Sequence, residues 1–137
     1  MSKDLPLKAE RASEHYAHHL GYPHVWRVQR GRMYSKQDVF SCDVIAIGHP
    51  DGGKAWLQVT SGLAASTINS RKRKLAQYPW VYHDRVEVLQ LLVDKSARPF
   101  RYRFAVWRWV AGESKWYRDE DVQVPREWLK VYREKAE

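Results

Sequence analysis

The residues best suited to chemistry lie on two extended segments that a short turn connects. Asp43 opens the first segment, and Gln58 and Thr60 lie near the end of the second. The turn carries an Asp-Gly pair, which is typical of β-hairpins, so Asp43 is predicted to lie beside Gln58 and Thr60 on the neighbouring strand. Because side chains alternate along a strand, Gln58 and Thr60 share a face. Hard divalent ions such as Mg²⁺ prefer oxygen ligands, so this hairpin indicates metal-assisted chemistry.

An amphipathic helix is predicted before this hairpin, over Leu7–Leu20, and Gly21 with Pro23 ends it. The helix places Glu10 and Glu14 one turn apart on a flank of its buried stripe, so Glu14 is the alternative to Glu10 as a carboxylate near the hairpin. The apolar stripe, at helical spacing, consists of Ala9, Ala12, Tyr16 and Leu20.

The rest of the chain is predicted to alternate between strands and helices. The predicted strands are Val25–Gln29, Asp43–Ile47, Ala55–Thr60, Val86–Val93 and Arg101–Val110. A second helix begins at Ser66 or Thr67 as its cap and runs to about Gln77, and Pro125 begins a terminal helix. The order of helix, three strands, helix, two strands and helix predicts an α/β fold. We expect a single domain over residues 1–137, with a central mixed β-sheet flanked by helices.

The composition and net charge of the chain limit the kinds of partner that it can bind. At 137 residues and 44% hydrophobic residues, the chain is long enough to bury one core. A formal charge of +8 and a pI near 9.7 predict an acidic polymer or surface as partner, and nucleic acid is the simplest. No transmembrane or signal-peptide pattern is present in the sequence, so no membrane partner is expected. The single cysteine, Cys42, excludes an intramolecular disulfide framework and is compatible with a reducing, cytoplasmic location.

Two basic segments are predicted to contact DNA phosphates, which would supply affinity without sequence specificity. One is a loop after the first strand and the other belongs to the second helix. The residues are Arg30, Arg32, Ser35 and Lys36 in the loop and Arg71, Lys72, Arg73 and Lys74 in the helix. The competing interpretation of both segments is an ordinary solvated basic surface.

Histidine and aromatic residues have simpler interpretations. His15 and His19 lie four residues apart on the first helix, but no Cys or further His follows at a zinc-binding spacing, so a solvated helix face is favoured. Most of the seven tryptophans are expected in the core or in interfaces. Trp26 and Tyr34 are candidates for stacking on an unpaired base.

Several stretches together give a family resemblance. They are Lys8-Ala9-Glu10-Arg11, Gly21-Tyr22, Val25-Trp26-Arg27 and Cys42-Asp43-Val44-Ile45-Ala46. Glu10 lies eleven residues before Gly21, where the first helix is predicted to end. Over roughly the first two-thirds of the chain, these stretches resemble the archaeal-type Holliday junction resolvases, a branch of the PD-(D/E)XK nuclease superfamily.

The resemblance implies a PD-(D/E)XK nuclease-like fold and a site for Mg²⁺ or Mn²⁺. The implied metal ligands are Glu10, Asp43, the side-chain oxygen of Gln58 and the carbonyl of Val59. The family has an acidic residue and a lysine where this chain has Gln58 and Thr60, and the implied catalytic set is Glu10, Asp43, Gln58 and Thr60. The role of the missing lysine is either lost or relocated to one of three other lysines, namely Lys54, Lys72 or Lys74.

The function implied by the resemblance is structure-selective cleavage of four-way DNA junctions by metal-assisted phosphodiester hydrolysis. A homodimer is expected, since a four-way junction has approximate two-fold symmetry and paired incisions need two symmetric sites. The competing interpretation is a non-catalytic DNA-binding protein with a degenerate nuclease fold. A third and weaker one is a nuclease for simple duplex or single-stranded ends.

Overall fold

The computed structural model describes residues 5–28 and 42–130. In these residues the chain forms two α-helices, six strands and a short 3-10 helix. The helices are α1 (Leu5–His19) and α2 (Ala65–Ala76), the strands are β1 (His24–Arg27), β2 (Val44–Ile47), β3 (Ala55–Thr60), β4 (Arg85–Asp94), β5 (Arg101–Val110) and β6 (Lys115–Val124), and the 3-10 helix spans Arg126–Leu129. Neither α-helix is long and apolar enough to cross a membrane.

The described strands form one mixed sheet in the order β1-β2-β3-β4-β5-β6. Neighbouring strands are antiparallel except for β3 and β4, which are parallel from the pair Ala55 and Arg85 to the pair Thr60 and Gln90. A parallel pair needs a crossover connection, and α2 provides it. The predicted α/β class and mixed sheet are therefore confirmed. The nearly continuous apolar run in β4 fits its interior position between β3 and β5.

Each helix covers a different face of the sheet. On the α1 face, Ala9, Ala12 and Tyr16 of the predicted stripe pack with the strand residues Val44, Leu57, Val59, Leu89, Phe104 and Val106. On the α2 face, Ile68 and Leu75 pack with Ile45, Val86 and Val88. This alternation of side chains between the faces follows the two-residue period of the strands. Burying a Leu or Phe side chain in such a core contributes roughly 1.5–3 kcal/mol.

The β2–β3 turn and the last residues before β1 meet at one end of the sheet, the turn end. The predicted tight turn forms, because Gly52 adopts a φ of +83° and its N–H donates to the His49 carbonyl at 2.9 Å. The ring of Tyr22, just after α1, lies 4.9 Å from the ring of His49. Since α1 finishes at the turn end, its N-terminal half is directed towards the opposite end, the Asp43 end.

Three predictions about the elements are wrong. After α2 the described chain has three strands and not two, since the sequence pattern does not predict β6. Its charged residues, which pair with β5 as Arg108–Asp119 at 2.9 Å and Arg103–Asp121 at 2.8 Å, obscure the two-residue period of this outer strand. The terminal helix is a single 3-10 turn within the described residues. Ala64 occupies the N-cap of α2 in place of Ser66 or Thr67, without a side-chain cap hydrogen bond.

Candidate active site

Asp43 links three strands at the Asp43 end of the sheet. Its backbone N–H donates to the Leu57 carbonyl at 2.8 Å, and its carbonyl accepts from the Val28 N–H at 2.8 Å. Its side chain is 4% exposed, and its Oδ2 accepts from the Val59 N–H at 2.8 Å. The predicted neighbourhood of Asp43 and the end of β3 therefore exists. The carboxylate also has a structural task, because it satisfies a buried N–H.

Gln58 directs its side-chain oxygen to the same backbone group. Its Oε1 accepts from the Val59 N–H at 3.2 Å, so a carboxylate oxygen and an amide oxygen converge on one donor. Gln58 is 2% exposed. The structure thus brings the oxygens of two predicted metal ligands, Asp43 and Gln58, together at the backbone N–H of Val59, whose carbonyl is the third predicted ligand. Carboxylate and amide oxygens are donors of the kind that Mg²⁺ and Mn²⁺ prefer.

Thr60 has a local role in the loop after β3. Its Oγ1 accepts from the Gly62 N–H at 2.9 Å, and Gln90 on β4 donates through Nε2 to the Gly62 carbonyl at 2.8 Å. Thr60 is buried and pairs in register with Gln90. By strand alternation, Gln58 and Thr60 share the α2 face, as predicted, whereas Val59 belongs to the core of the α1 face.

Glu10 lies on α1, which packs on the face of the sheet opposite Gln58 and Thr60. It follows Ala9, which packs in the same core as Val59, and its backbone carbonyl accepts from the Ser13 hydroxyl at 2.6 Å. Glu14, the alternative carboxylate, forms an ion pair with Arg11 at 3.3 Å on the helix. Within residues 5–28 and 42–130, no three His, Cys, Asp or Glu side chains converge to hold a metal ion. A metal site here would therefore depend on the amide of Gln58 and the carbonyl of Val59.

The three candidate replacements for the family lysine occupy different places. Lys54 is exposed just before β3 at the turn end, six residues from Thr60, which is about 20 Å along a strand. Lys54 is therefore too distant to act at Thr60. Lys74 is exposed on α2. Lys72 lines a depression on the α2 face together with Gln90, the β4 partner of Thr60, which places it nearest to the candidate site.

The predicted DNA contacts are described only in part. Arg30, Arg32, Ser35 and Lys36 lie outside the described residues, as does Tyr34. In the second basic segment, Arg71 and Lys72 are partly buried on α2, whereas Arg73 and Lys74 are exposed. This segment lies on the face that also carries Gln58 and Thr60, so phosphates bound by α2 would lie on the side of the sheet where those residues are found.

His15 and His19 are exposed on α1, as the simpler interpretation predicts, and their rings also contact Trp128. The ring of His15 stacks on Trp128 with centroids 6.2 Å apart, and the ring of His19 lies 5.8 Å from the same indole. These side chains pack α1 against the 3-10 helix. Trp26 is 54% exposed on β1 and remains a candidate for base stacking.

The sequence interpretation missed a buried charge cluster towards the turn end. Glu87 is fully buried and accepts from the Tyr16 hydroxyl and from Arg85 Nη1, each at 2.7 Å. Burial raises the pKa of Glu87, although Arg85 and the Tyr16 hydrogen bond oppose the shift. Burial, and then the charge of Glu87, raises the pKa of Tyr16. The only signal in the sequence was an acidic residue within the apolar run of β4.

Arg85 connects this cluster to solvent. Burial alone would lower the pKa of Arg85, but the Glu87 carboxylate outweighs that effect and raises it. The guanidinium lines an open cleft of about 640 Å³ together with Tyr22, His49 and His83. The cleft includes residues of the turn end and is separate from the predicted metal ligands, so we assign Glu87 to the stability of the fold.

Comparisons with protein-family models, with curated proteins and with solved structures found no match for this chain. The chemistry of the site therefore rests on its own donors. Asp43 provides one carboxylate, and Gln58 and Val59 provide neutral oxygens, which is a donor set that suits a hard divalent ion. Of the three candidate lysines, Lys72 is the one that shares a depression with Gln90, the β4 partner of Thr60.

Proposed function

We propose that this protein is a divalent-metal-dependent endodeoxyribonuclease that cleaves branched DNA of the four-way junction type. The observation that carries the proposal is that Asp43 Oδ2 and Gln58 Oε1 lie close together at the end of β3, since both accept from the Val59 N–H, at 2.8 and 3.2 Å. This pair belongs to the sheet on which the crossover helix α2 packs, and α2 carries four consecutive basic residues. The family resemblance supplies the substrate class, and the charge of +8 agrees with a polyanionic partner.

We assign one group of residues to metal binding and another to substrate binding. Asp43, Gln58, the Val59 carbonyl and Glu10 would hold Mg²⁺ or Mn²⁺. A carboxylate has lone pairs for several partners, so the bond from Val59 and metal ligation are compatible. When bound, the ion supplies a nucleophilic water and stabilises charge on the phosphoryl group. Lys72 would stabilise negative charge beside the attacked phosphate, the role that the family gives to its lysine.

Substrate binding is assigned to the basic residues. Exposed Arg73 and Lys74 on α2 would contact phosphates, and the basic loop predicted from the sequence would extend that path. Phosphate contacts carry no base code, so the structure selectivity would come from the shape of the junction and from a homodimer with two-fold symmetry.

A second candidate function is a non-catalytic DNA-binding protein with a degenerate nuclease site. One observation favours it. Gln58 and Thr60 replace the family's acid and lysine, and both are buried with hydrogen bonds to nearby backbone N–H groups, from Val59 and Gly62 respectively. Side chains with such local roles hold the end of β3 in place whether or not the site is active.

A cleavage time course separates the two functions. The full-length protein is incubated with a labelled four-way junction and with a linear duplex of the same sequence, in Mg²⁺, Mn²⁺ or EDTA. We expect metal-dependent cleavage of the junction alone, and loss of that cleavage in Asp43→Ala. Tight junction binding without cleavage in either metal would establish the second function. Equal cleavage of the duplex or of its ends would instead indicate a nuclease without junction selectivity.

A further inference from the structure

The α2 face of β5 and β6 carries aromatic side chains that the described helices cover only in part. On this face α2 packs on β4, while α1 and the 3-10 helix lie on the opposite face. Trp107, Trp109 and Trp116 are each partly exposed. Trp109 pairs across the strands with Trp116, and Trp107 pairs with Arg118. A group of partly exposed indoles on a sheet surface indicates a binding surface.

Cations are interleaved with these tryptophans. Lys72 Nζ lies 5.7 Å from the ring centre of Trp107, and the Arg118 guanidinium lies 4.8 Å from it. Asp121 accepts from Arg118 at 2.6 Å and from Arg103 at 2.8 Å, so it neutralises part of the charge. The cations of the area are Lys72, Arg73, Arg103 and Arg118. They outnumber this carboxylate, so the surface favours a polyanion.

Between α2 and the β5–β6 hairpin the surface forms a groove with two depressions. The larger, of about 420 Å³, is bordered by Trp109 and Trp116, and the smaller, of about 240 Å³, by Trp107 and Gln90. Asn69 and Lys72 line both depressions, so the two lie next to each other along α2. Gln90 is the β4 partner of Thr60, so the smaller depression lies towards the candidate active site.

We infer that this groove binds a short stretch of single-stranded nucleic acid. Bases would stack on Trp109 and Trp116, and phosphates would contact Arg73 and the cations that lie over Trp107, Lys72 and Arg118. Aromatic faces with nearby cations are the means by which proteins hold unpaired nucleotides, because every base has a face to stack and every linkage has a charge. In a duplex the base faces are already stacked on each other, so tryptophans would add little to duplex binding. The inference does not depend on cleavage.

Binding is measured with the full-length protein in EDTA, where the proposed nuclease reaction is absent. The probes are a fluorescent oligo-dT, the matching dA·dT duplex, and heparin as a polyanion without bases. Trp109→Leu and Trp116→Leu keep apolar packing but remove the stacking surface. Each is expected to weaken oligo-dT binding by about 5- to 160-fold, the range for loss of one stacked base. Binding to the duplex and to heparin should change less than two-fold.

Trp128→Leu is the matched control, because Trp128 packs on His15 and His19 on the opposite face. Equal losses of oligo-dT binding in Trp128→Leu and Trp116→Leu would overturn the inference, as would equal affinity of the wild type for oligo-dT and duplex. The mass of each variant in solution is measured as well. If Trp116→Leu separates copies of the chain and leaves oligo-dT binding intact, the groove is an interface between copies and the inference is wrong.

A second measurement uses the wild-type protein and therefore does not depend on how the variants fold. An oligonucleotide with 5-iodouracil is photo-crosslinked to the protein, and the attached peptides are identified by mass spectrometry. Crosslinks to Trp107, Trp109 or Trp116 are expected. Crosslinks confined to Trp26 on β1 would place the unpaired bases elsewhere and would overturn the inference.

Discussion

At the scale of single residues, Asp43 combines two tasks that different substitutions separate. Asp43→Asn keeps an oxygen that accepts the Val59 N–H but removes the charge that attracts a metal ion. Asp43→Ala also removes the shorter of the two hydrogen bonds from that N–H and leaves the one to Gln58 Oε1 at 3.2 Å, and loss of one such bond costs about 0.5–1.5 kcal/mol. We expect both variants to lose metal-dependent cleavage and to bind junctions within a few-fold of wild type, while only Asp43→Ala shows a clear loss of stability in urea unfolding. Undiminished cleavage by either variant would show that Asp43 is not a metal ligand.

Gln58 offers a test that does not need activity. Gln58→Glu places a second carboxylate beside Asp43 in a buried position, where the two negative charges repel each other and destabilise the folded state. In EDTA the variant should unfold at a lower temperature than wild type. Saturating Mn²⁺ should then stabilise the variant more than wild type, by about 1.4 kcal/mol for each tenfold gain in metal affinity. An identical response of the two proteins to Mn²⁺ would exclude Gln58 from a metal site.

These residues also show what sequence reasoning can reach. Asp43 and Gln58 could be placed together because a short turn fixes their register, and local register is readable from the sequence. The contact between Tyr16 and Glu87 joins residues 71 positions apart and requires α1 to pack on β4, so no local sequence pattern predicts it. Thr60 was assigned to catalysis by family position, whereas the structure shows its hydroxyl bonded to the Gly62 N–H.

At the scale of elements, the packing of α1 on β4 includes the buried Tyr16 hydroxyl. The pKa of Tyr16 is raised in the folded protein. Above its ordinary pKa of about 10, the unfolded chain loses the tyrosine proton while the folded chain retains it, so stability falls as pH rises. The stability advantage of wild type over Tyr16→Phe should therefore shrink between pH 9 and pH 11. Urea unfolding of both proteins at pH 7, 9 and 11 checks this, and a constant difference would contradict it.

Helix α2 should contribute to DNA affinity in proportion to its phosphate contacts. Neutralising Arg73 by Arg73→Gln should weaken binding to all junction sequences alike, because phosphates carry no base code. The slope of log affinity against log salt should fall by about 0.9 for duplex arms. Lys130→Gln is the control, since Lys130 is exposed just after the 3-10 helix, which packs with α1 on the opposite face. An equal effect in Lys130→Gln would mean that the charge binds DNA diffusely.

The elements that were predicted well are those with a strong periodic pattern. Arg101–Val110 has its predicted bounds, and α1 carries three of the four residues of its predicted stripe, Leu20 lying just after the helix, because one side of each element faces a core. Strand β6 was missed because it is the outermost described strand next to β5, where charged cross-strand pairs replace an apolar period. The extended conformation of Lys115–Val124 is apparent from its pairing with β5 in the structure and not from its sequence pattern.

At the scale of the whole molecule, the proposed reaction needs two copies of the chain. Paired incisions in a four-way junction require two sites related by a two-fold axis. Light scattering coupled to size-exclusion chromatography should therefore give twice the chain mass of 16.2 kDa at micromolar concentration. A monomer that remains monomeric with junction DNA would contradict the paired-incision proposal.

The single parallel contact in the described sheet has a consequence for folding. Strands β1 to β3 and β4 to β6 are two antiparallel units that meet along six residue pairs between β3 and β4. Contacts within each unit include close neighbours in the chain. The contacts between β3 and β4 form later, because the α2 crossover must first be closed at a cost in conformational entropy. The candidate metal ligands Asp43, Gln58 and Val59 belong to the first unit, and the groove tryptophans Trp107, Trp109 and Trp116 belong to the second. Their alignment is therefore a late event in folding. Because each core contains residues of both units, the join between β3 and β4 should open only when the whole described fold unfolds, so the candidate metal ligands and the groove should lose hydrogen-exchange protection together.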